Sequence, residues 1–402
     1  AALNGETARQ KEVPEAKKAA INTTITEDEV AAIQPGKMNT VNGTAHDQYD
    51  NRTAKTTEQY VRKYDVMEDT NLDIAVDYIP FLGSKWKKCL TGETDPDVGH
   101  YSITDKQAIN RHIDQMEYAG ISTVMFVYEH GHSSQSQFNA FKQHQLADEI
   151  EIEVIYSIGH ALQWNTDKDF RDVLKTDLDF FKEEMFTIDS YKTYYNQPTV
   201  SLWDINFLAW GGNEQSRQVK AKIMDEFGGF EEFIGFIRSE LSGKDNSPYL
   251  IGDIHDTALG GLRDKYIDLD SQLDAVTTWT GKLDRGQKTP WNEAYKHVKK
   301  NFQATSEFAS EYNIDFIPRA FPGFDDRHNS CWGEDRYVPR SPSHLQHLLE
   351  LANKYRTRDR INIATWNGWP EGHMIEPGAF QGTDYGTAYL ETVKEFQKGG
   401  LR

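Results

Sequence analysis

From about residue 73 onward, short β-branched or aromatic runs alternate with longer stretches whose apolar residues recur at helical spacing. The runs are residues 73–81 (DIAVDYIPF), 122–128 (STVMFVY), 151–158 (EIEVIYSI), 200–208 (VSLWDINFL), 249–255 (YLIGDIH), 273–279 (LDAVTTW), 315–321 (DFIPRAF) and 360–366 (RINIATW). Their length and composition predict strands. Helices are predicted over 106–119, 170–186, 215–241, 291–312, 343–355 and 387–396. The segments after the second and fifth runs are short or poorly marked. Strands alternating with helices imply parallel strands joined by helical crossovers. Eight such units over about 330 residues fit a (β/α)8 TIM barrel with long loops. A doubly wound sheet is the rival, but Phe81-Leu82-Gly83-Ser84 after the first run is not a Gly-rich phosphate loop. The α/β barrel is therefore expected.

Residues 1–66 break the pattern. They are rich in Ala, Thr, Glu, Lys and Asn and lack an apolar stripe long enough for a core helix. Of the chain's 9 Trp, 19 Tyr and 20 Phe they hold only Tyr49, Tyr60 and Tyr64. We read 1–66 as an N-terminal arm and 67–402 as the barrel domain. So polar an arm becomes ordered by packing on another surface, a neighbouring subunit being the candidate, which points to a homo-oligomer or larger assembly. Sequons at Asn22, Asn42 and Asn51 are about as many as chance gives in a segment of this composition. The listing of residues opens on Ala1-Ala2 without an apolar h-region, so no targeting segment is visible.

Charge and composition narrow the partners. With 44 basic against 63 acidic residues the net charge is −19, a field that repels nucleic-acid phosphates and anionic lipid. No run approaches the roughly 18 apolar residues of a membrane-spanning helix. Acidity combined with 12% aromatic residues suits a carbohydrate-handling protein. Cys89 and Cys331 are too few for a disulfide scaffold or a thiolate zinc site. A single bridge in an oxidising compartment and two unpaired thiols are equally open. No cofactor is expected.

In a (β/α)8 barrel the active site lies at the C-terminal strand ends. The residues there are Tyr78; Glu129, His130 and His132; His160 and Trp164; Asp204, Asn206 and Trp210; Asp253, His255 and Asp256; Trp279; Asp325, Asp326 and Arg327; and Trp366, Asn367, Trp369, Glu371 and His373. Indole faces beside carboxylates and amides suit sugar rings, which present C–H faces for stacking and hydroxyls at their edges. His130-Gly131-His132 also has the form of a metal-binding pair, but no third ligand stands at a diagnostic spacing. The substrate-binding set expected on this basis is Tyr78, Glu129, His130, His160, Trp164, Asp204, Asn206, Trp210, His255, Trp279, Asp326, Arg327, Trp366, Asn367 and Trp369, with no metal.

Residues 365–378 read TWNGWPEGHMIEPG. This segment resembles the last-strand motif of glycoside hydrolase family 99 and the related WbsX-type domains, approximately N-E-W-x-E-G-x-x-I/L-E-P. The matching residues are Asn367, Trp369, Glu371, Gly372, Ile375, Glu376 and Pro377. Residues 76–83, Gly99-His100-Tyr101 with 109–120, 273–279, and 322–327 (PGFDDR) resemble further family segments in the same order, so the likeness spans about 73–395. The resemblance implies a retaining, endo-α-mannosidase-like barrel working through a 1,2-anhydro sugar. In that chemistry one Glu deprotonates the 2-hydroxyl, and a second, three residues later, protonates the leaving oxygen and then activates water. The second matches Glu371, the expected general acid/base. The first falls on Gly368, which has no side chain. Two functions are therefore expected of this barrel: a glycoside hydrolase acting on α-linked mannose-like saccharide, or a catalytically inactive glycan-binding or structural subunit whose arm makes intersubunit contacts. A metal-dependent hydrolase built on the histidines is a minor third. The expected location is extracellular or at the cell surface.

Overall fold

The computed structural model describes residues 72–80, 88–203, 205, 214–243, 246–255, 272–279 and 286–399. The arm, its three sequons and the segment after the fifth strand lie outside these residues. All eight expected strands form: β1 (Asp73–Tyr78), β2 (Thr123–Tyr128), β3 (Glu151–Ser157), β4 (Gln197–Trp203), β5 (Tyr249–His255), β6 (Ala275–Trp279), β7 in two pieces (Asp315–Ile317 and Arg319–Ala320) and β8 (Arg360–Ile363). Neighbours in sequence pair in parallel, and β8 pairs with β1 through Asp73 opposite Arg360, closing the ring. β7 is interrupted at Pro318, which has no N–H to give to a ladder. The Pro318 carbonyl still accepts from Asn362 N at 3.0 Å.

The crossovers are α1 (Lys106–Tyr118), α2 (Gly131–Phe141), α3 (Ile158–Gln163), α4 (Phe170–Phe180), α5 (Glu214–Phe227), α6 (Phe230–Leu241), α7 (Trp291–Tyr312), α8 (Pro342–Tyr355) and α9 (Ala388–Gly399). Their starts follow from local chemistry: Asp105 accepts from Ala108 N before α1, and Ser341 accepts from His344 N before α8, whose first residue is Pro342. Two expected helices differ from what forms. The stretch 215–241 is two helices, broken where Gly228 takes φ +93°. The stretch 170–186 ends in a wider turn over Phe181–Met185. The fourth strand lies three residues earlier than expected, beginning at Gln197.

Strand alternation directs every second residue inward. Ala75, Met125, Val127 and Ile155 form one apolar cluster, and Tyr249, Ile251, Ala275 and Ile317 another. Between these, the barrel is unusually polar. At the N-terminal end Arg360 Nη1 meets Glu153 Oε2 at 2.5 Å, both side chains fully buried. Asp73 sits 3.0 Å from Lys192 Nζ. Burial would push the Asp73 carboxyl up, but Arg360 and Lys192 outweigh it and hold the group at about 2. Nearer the C-terminal end, Arg319 lies between Asp253 (2.6 Å) and Asp77 (3.6 Å). Burial there outweighs the arginine and raises Asp77 to about 6, with Asp253 adding to the rise.

Candidate functional site

The 365–378 segment leaves β8 as a tight, buried turn. Trp369–Glu371 is one turn of 3-10 helix, closed by Gly372 at φ +57°. A Cβ there would sit 2.9 Å from the Asp325 carbonyl, so glycine is required twice over. The following residues pair with the front of the domain: Gly378–Phe380 lies antiparallel to Thr94–Pro96. This brace fixes the height at which Glu371 emerges.

Glu371 is partly exposed, and both of its oxygens are engaged. Oε2 accepts from His373 Nε2 at 2.9 Å, and Oε1 accepts from the Trp332 indole N–H at 3.1 Å, with Arg336 Nη2 3.9 Å away. Burial would raise this carboxyl, but His373, Arg336 and Trp332 together hold it below the usual glutamate value. At neutral pH Glu371 is therefore a carboxylate, suited to accepting a proton or hydrogen bond. A resting general acid needs the opposite shift. Arg336 is itself fixed by Asp326, which takes its Nη2 at 2.6 Å and its Nε at 2.7 Å. The guanidinium thus bridges the buried Asp326 and Glu371.

His373 is almost fully buried. Its ring stacks on Phe324 (5.6 Å, 2°) and meets Trp279 edge-on at 5.2 Å. With Nε2 against Glu371, Nδ1 faces Gly368. A Cβ at position 368 would lie 2.4 Å from Thr365 Oγ1, 2.5 Å from His373 Cε1 and 2.8 Å from His373 Nδ1. The Gly368 N–H also donates to Thr365 Oγ1 at 2.6 Å. The space beside Gly368 is thus filled by an imidazole and a hydroxyl.

The remaining expected site residues fall into distinct groups. Tyr78, Trp366, Asn367 and Trp369 are buried beneath the turn. Asn367 accepts from Ile79 N and donates to Ile79 O, both at 2.8 Å, which clamps the ends of β1 and β8 together. Trp369 Nε1 and Tyr101 OH donate to Glu376 Oε2 at 2.6 and 2.9 Å, and His112 Nε2 pairs with Glu376 Oε1 at 2.9 Å. Tyr78 OH reaches His112 Nδ1 at 3.4 Å. These residues support the turn from below. A second group follows β2 and β3: Glu129 Oε2 is 3.8 Å from His160 Nδ1, and exposed Trp164 sits edge-on to His160 at 6.0 Å.

His130 is held by Asp177, 2.6 Å from its Nδ1, and Asp177 also accepts from Tyr128 OH, Tyr156 OH and Gly131 N. His132 pairs with Gln135 at 3.2 Å. Among the described residues no group of three or more His, Cys, Asp or Glu side chains is placed to hold a metal ion. Arg327 turns back on Asp325 in a two-point bond of 2.7 Å each and covers the Tyr337 ring at 4.1 Å. Asp204, Asn206, Trp210 and Asp256 lie outside the described residues, as does the His255 side chain.

Sequence reasoning missed Trp332 and Arg336 at Glu371 and, below, Asp77 and Arg319, which join the strand-end Asp253. Trp332 had a signal: it neighbours Cys331, in the turn-forming stretch Asn329–Gly333. Arg336 had none. The two cysteines form one disulfide, Cys89–Cys331, with Cα atoms 5.1 Å apart and 242 residues between them in sequence. No helix among the described residues is long and apolar enough to cross a membrane.

No family model and no curated protein sequence matches this chain. Solved structures do. A glycoside hydrolase-like protein superposes with a TM-score of 0.59 at 18% identity, over 82% of this chain and 95% of its own. A family 99 endo-α-mannosidase from Bacteroides thetaiotaomicron superposes with a TM-score of 0.60 at 14% identity, over 82% of this chain and 97% of its own. The same enzyme in complex with bis-tris propane gives 0.59 at 16% identity, covering 82% and 98%. At this identity the likeness establishes the fold, a (β/α)8 barrel.

Proposed function

We propose that this protein is a family 99-related barrel that recognises α-linked mannose-like glycan at its C-terminal mouth, with Glu371 as the central hydrogen-bond acceptor, and that it does not run the two-carboxylate hydrolysis. One observation carries the reading: the space beside Gly368, which the motif resemblance aligns with the first carboxylate, is occupied by Thr365 and His373, at 2.4 and 2.5 Å from where a Cβ would stand. The ionised state of Glu371 agrees with it, since a carboxylate accepts from sugar hydroxyls but has no proton to give a leaving oxygen. The motif between 365 and 378 and the shared fold support the sugar class.

A second reading, a hydrolase using Glu371 as general acid/base, is favoured by the partial exposure of Glu371 and by a second carboxylate, Asp326, across Arg336. Titration calorimetry and product analysis with α-linked manno-oligosaccharides separate the two. On the first, the native protein binds without turnover, and Glu371→Gln weakens binding about tenfold, the size of a charge-assisted hydrogen bond. On the second, the native protein cleaves and Glu371→Gln lowers the rate about 10²–10⁴-fold. Turnover by native protein above that of Glu371→Gln overturns the first reading. The Cys89–Cys331 bridge supports an extracellular or cell-surface location, where disulfides persist. Residues 1–66 are assigned to intersubunit contacts; an unchanged number of subunits by light scattering after their removal would reject that assignment.

A further inference from the structure

Trp332 is one of two tryptophans among the described residues that are at least half exposed, at 50%; Trp164 is the other, at 67%. An exposed large aromatic is an informative exception when the rest of its neighbourhood is tied down. Here it is. The indole N–H donates to Glu371 Oε1 at 3.1 Å. That bond lies in the plane of the ring, so it fixes the ring's edge and uses neither face.

The backbone under the ring is held just as closely. Asn329 Oδ1 accepts from both Cys331 N (2.9 Å) and Trp332 N (3.1 Å). Cys331 is bonded to Cys89, whose carbonyl accepts from Ser330 N at 2.9 Å. Thr91 N donates to His328 O at 3.0 Å. A covalent strap thus joins the front of the domain to the loop that carries the indole, one residue from the bridge.

We propose that Trp332 is a stacking platform for the apolar C–H face of a sugar ring bound beside Glu371, and that the Cys89–Cys331 disulfide is the strap that positions it. The ligand class is a pyranose within a neutral glycan. The indole face takes the ring's C–H surface, while the Glu371 carboxylate takes a hydroxyl at the ring edge, so one residue pair reads both the face and the rim of the same sugar. Arg336, held by Asp326, keeps the carboxylate charged for that contact. Trp332 is a binding residue and the disulfide a positioning element. This rests on the glycan-recognition reading above but not on the choice of mannose.

The test is titration calorimetry of the full chain against a panel of α-linked manno-oligosaccharides and β-linked manno- and gluco-oligosaccharides, with near-UV circular dichroism to confirm folding. Trp332→Ala is expected to weaken binding about tenfold or more, and Trp332→Phe by less, because a smaller face remains without the N–H bond. Cys89→Ser/Cys331→Ser, which keeps the indole but frees its loop, is expected to weaken binding about three- to tenfold. If that variant does not fold, native protein reduced with a phosphine takes its place, and reoxidation should restore affinity. A Trp332→Ala affinity within twofold of native, or a native protein that binds no member of the panel, overturns the platform. Unchanged binding after loss of the bridge overturns the strap. Binding confined to β-linked members, still weakened by Trp332→Ala, supports the platform while rejecting the α-mannose assignment.

Discussion

Placing a methyl group on residue 368 tests the central geometric claim directly. In Gly368→Ala the new Cβ meets Thr365 Oγ1 at 2.4 Å and two atoms of the His373 ring at 2.5 and 2.8 Å, all closer than real Cβ atoms approach a neighbour. The imidazole has little freedom to move, being 2% exposed and held between Phe324 and Trp279. Overpacking of this kind costs about 1–3 kcal/mol. Displacing the ring also stretches its 2.9 Å bond to Glu371, a charge-assisted contact worth about 1.5–3 kcal/mol. We expect a total loss of about 2.5–6 kcal/mol, and at least as much for the larger Gly368→Glu. Denaturant titration of native, Gly368→Ala, His373→Ala and the double variant measures it. Because His373→Ala vacates the space, the Gly368→Ala penalty should shrink by about 1–3 kcal/mol in that background. A Gly368→Ala loss below about 0.5 kcal/mol, or strictly additive effects, refutes the packing of His373 against Gly368.

Two further outcomes follow from the barrel interior. Glu153→Gln should destabilise the protein by about 3–5 kcal/mol, because it strands the fully buried Arg360. Glu153→Gln/Arg360→Met should recover much of that loss in the same denaturation assay; an unchanged midpoint for the single variant would dismiss the pair's role. Asp77 offers a pH test. Its folded-state value of about 6, above its ordinary 3.8, means the folded protein holds this proton more tightly than the unfolded chain. The stability it contributes is complete below about 3.8 and lost as pH rises through 6. Across pH 4 to 7 the native protein should therefore lose about 2.4 kcal/mol relative to Asp77→Asn, most of the full shift at 1.36 kcal/mol per unit. Parallel stability profiles for the two proteins would contradict the buried-acid assignment.

Much of this architecture was legible from periodicity. Eight β-branched runs became eight strands because, in a closed parallel barrel, each strand is buried on both faces and must be made of such residues. Helix starts at Asp105 and Ser341 follow from capping chemistry within three residues. The 365–378 segment stood out through its resemblance to a family motif, whose glycine, proline and glutamates lie at fixed short separations. The break at Gly228 lay in plain view as a Gly pair, but a helical stripe continuing on both sides concealed it.

Other features depend on residues far apart in sequence, and only the folded chain settles them. Spacing along the chain says nothing about whether Cys89 and Cys331, 242 residues apart, come within bonding distance. Nor does it say that Trp332, Arg336 and Asp326 converge on Glu371, or that Arg319 falls between two buried aspartates. Composition made Trp366, Trp369 and Tyr78 look like cleft residues, because an aromatic at a strand end suits the core and the mouth alike; burial assigned them to the core. Gly368 shows the division most clearly. By itself the sequence shows a glycine where the motif it resembles has its first Glu. Whether that leaves an open space or a filled one depends on where His373 and Thr365 point, and packing decided that in favour of the imidazole.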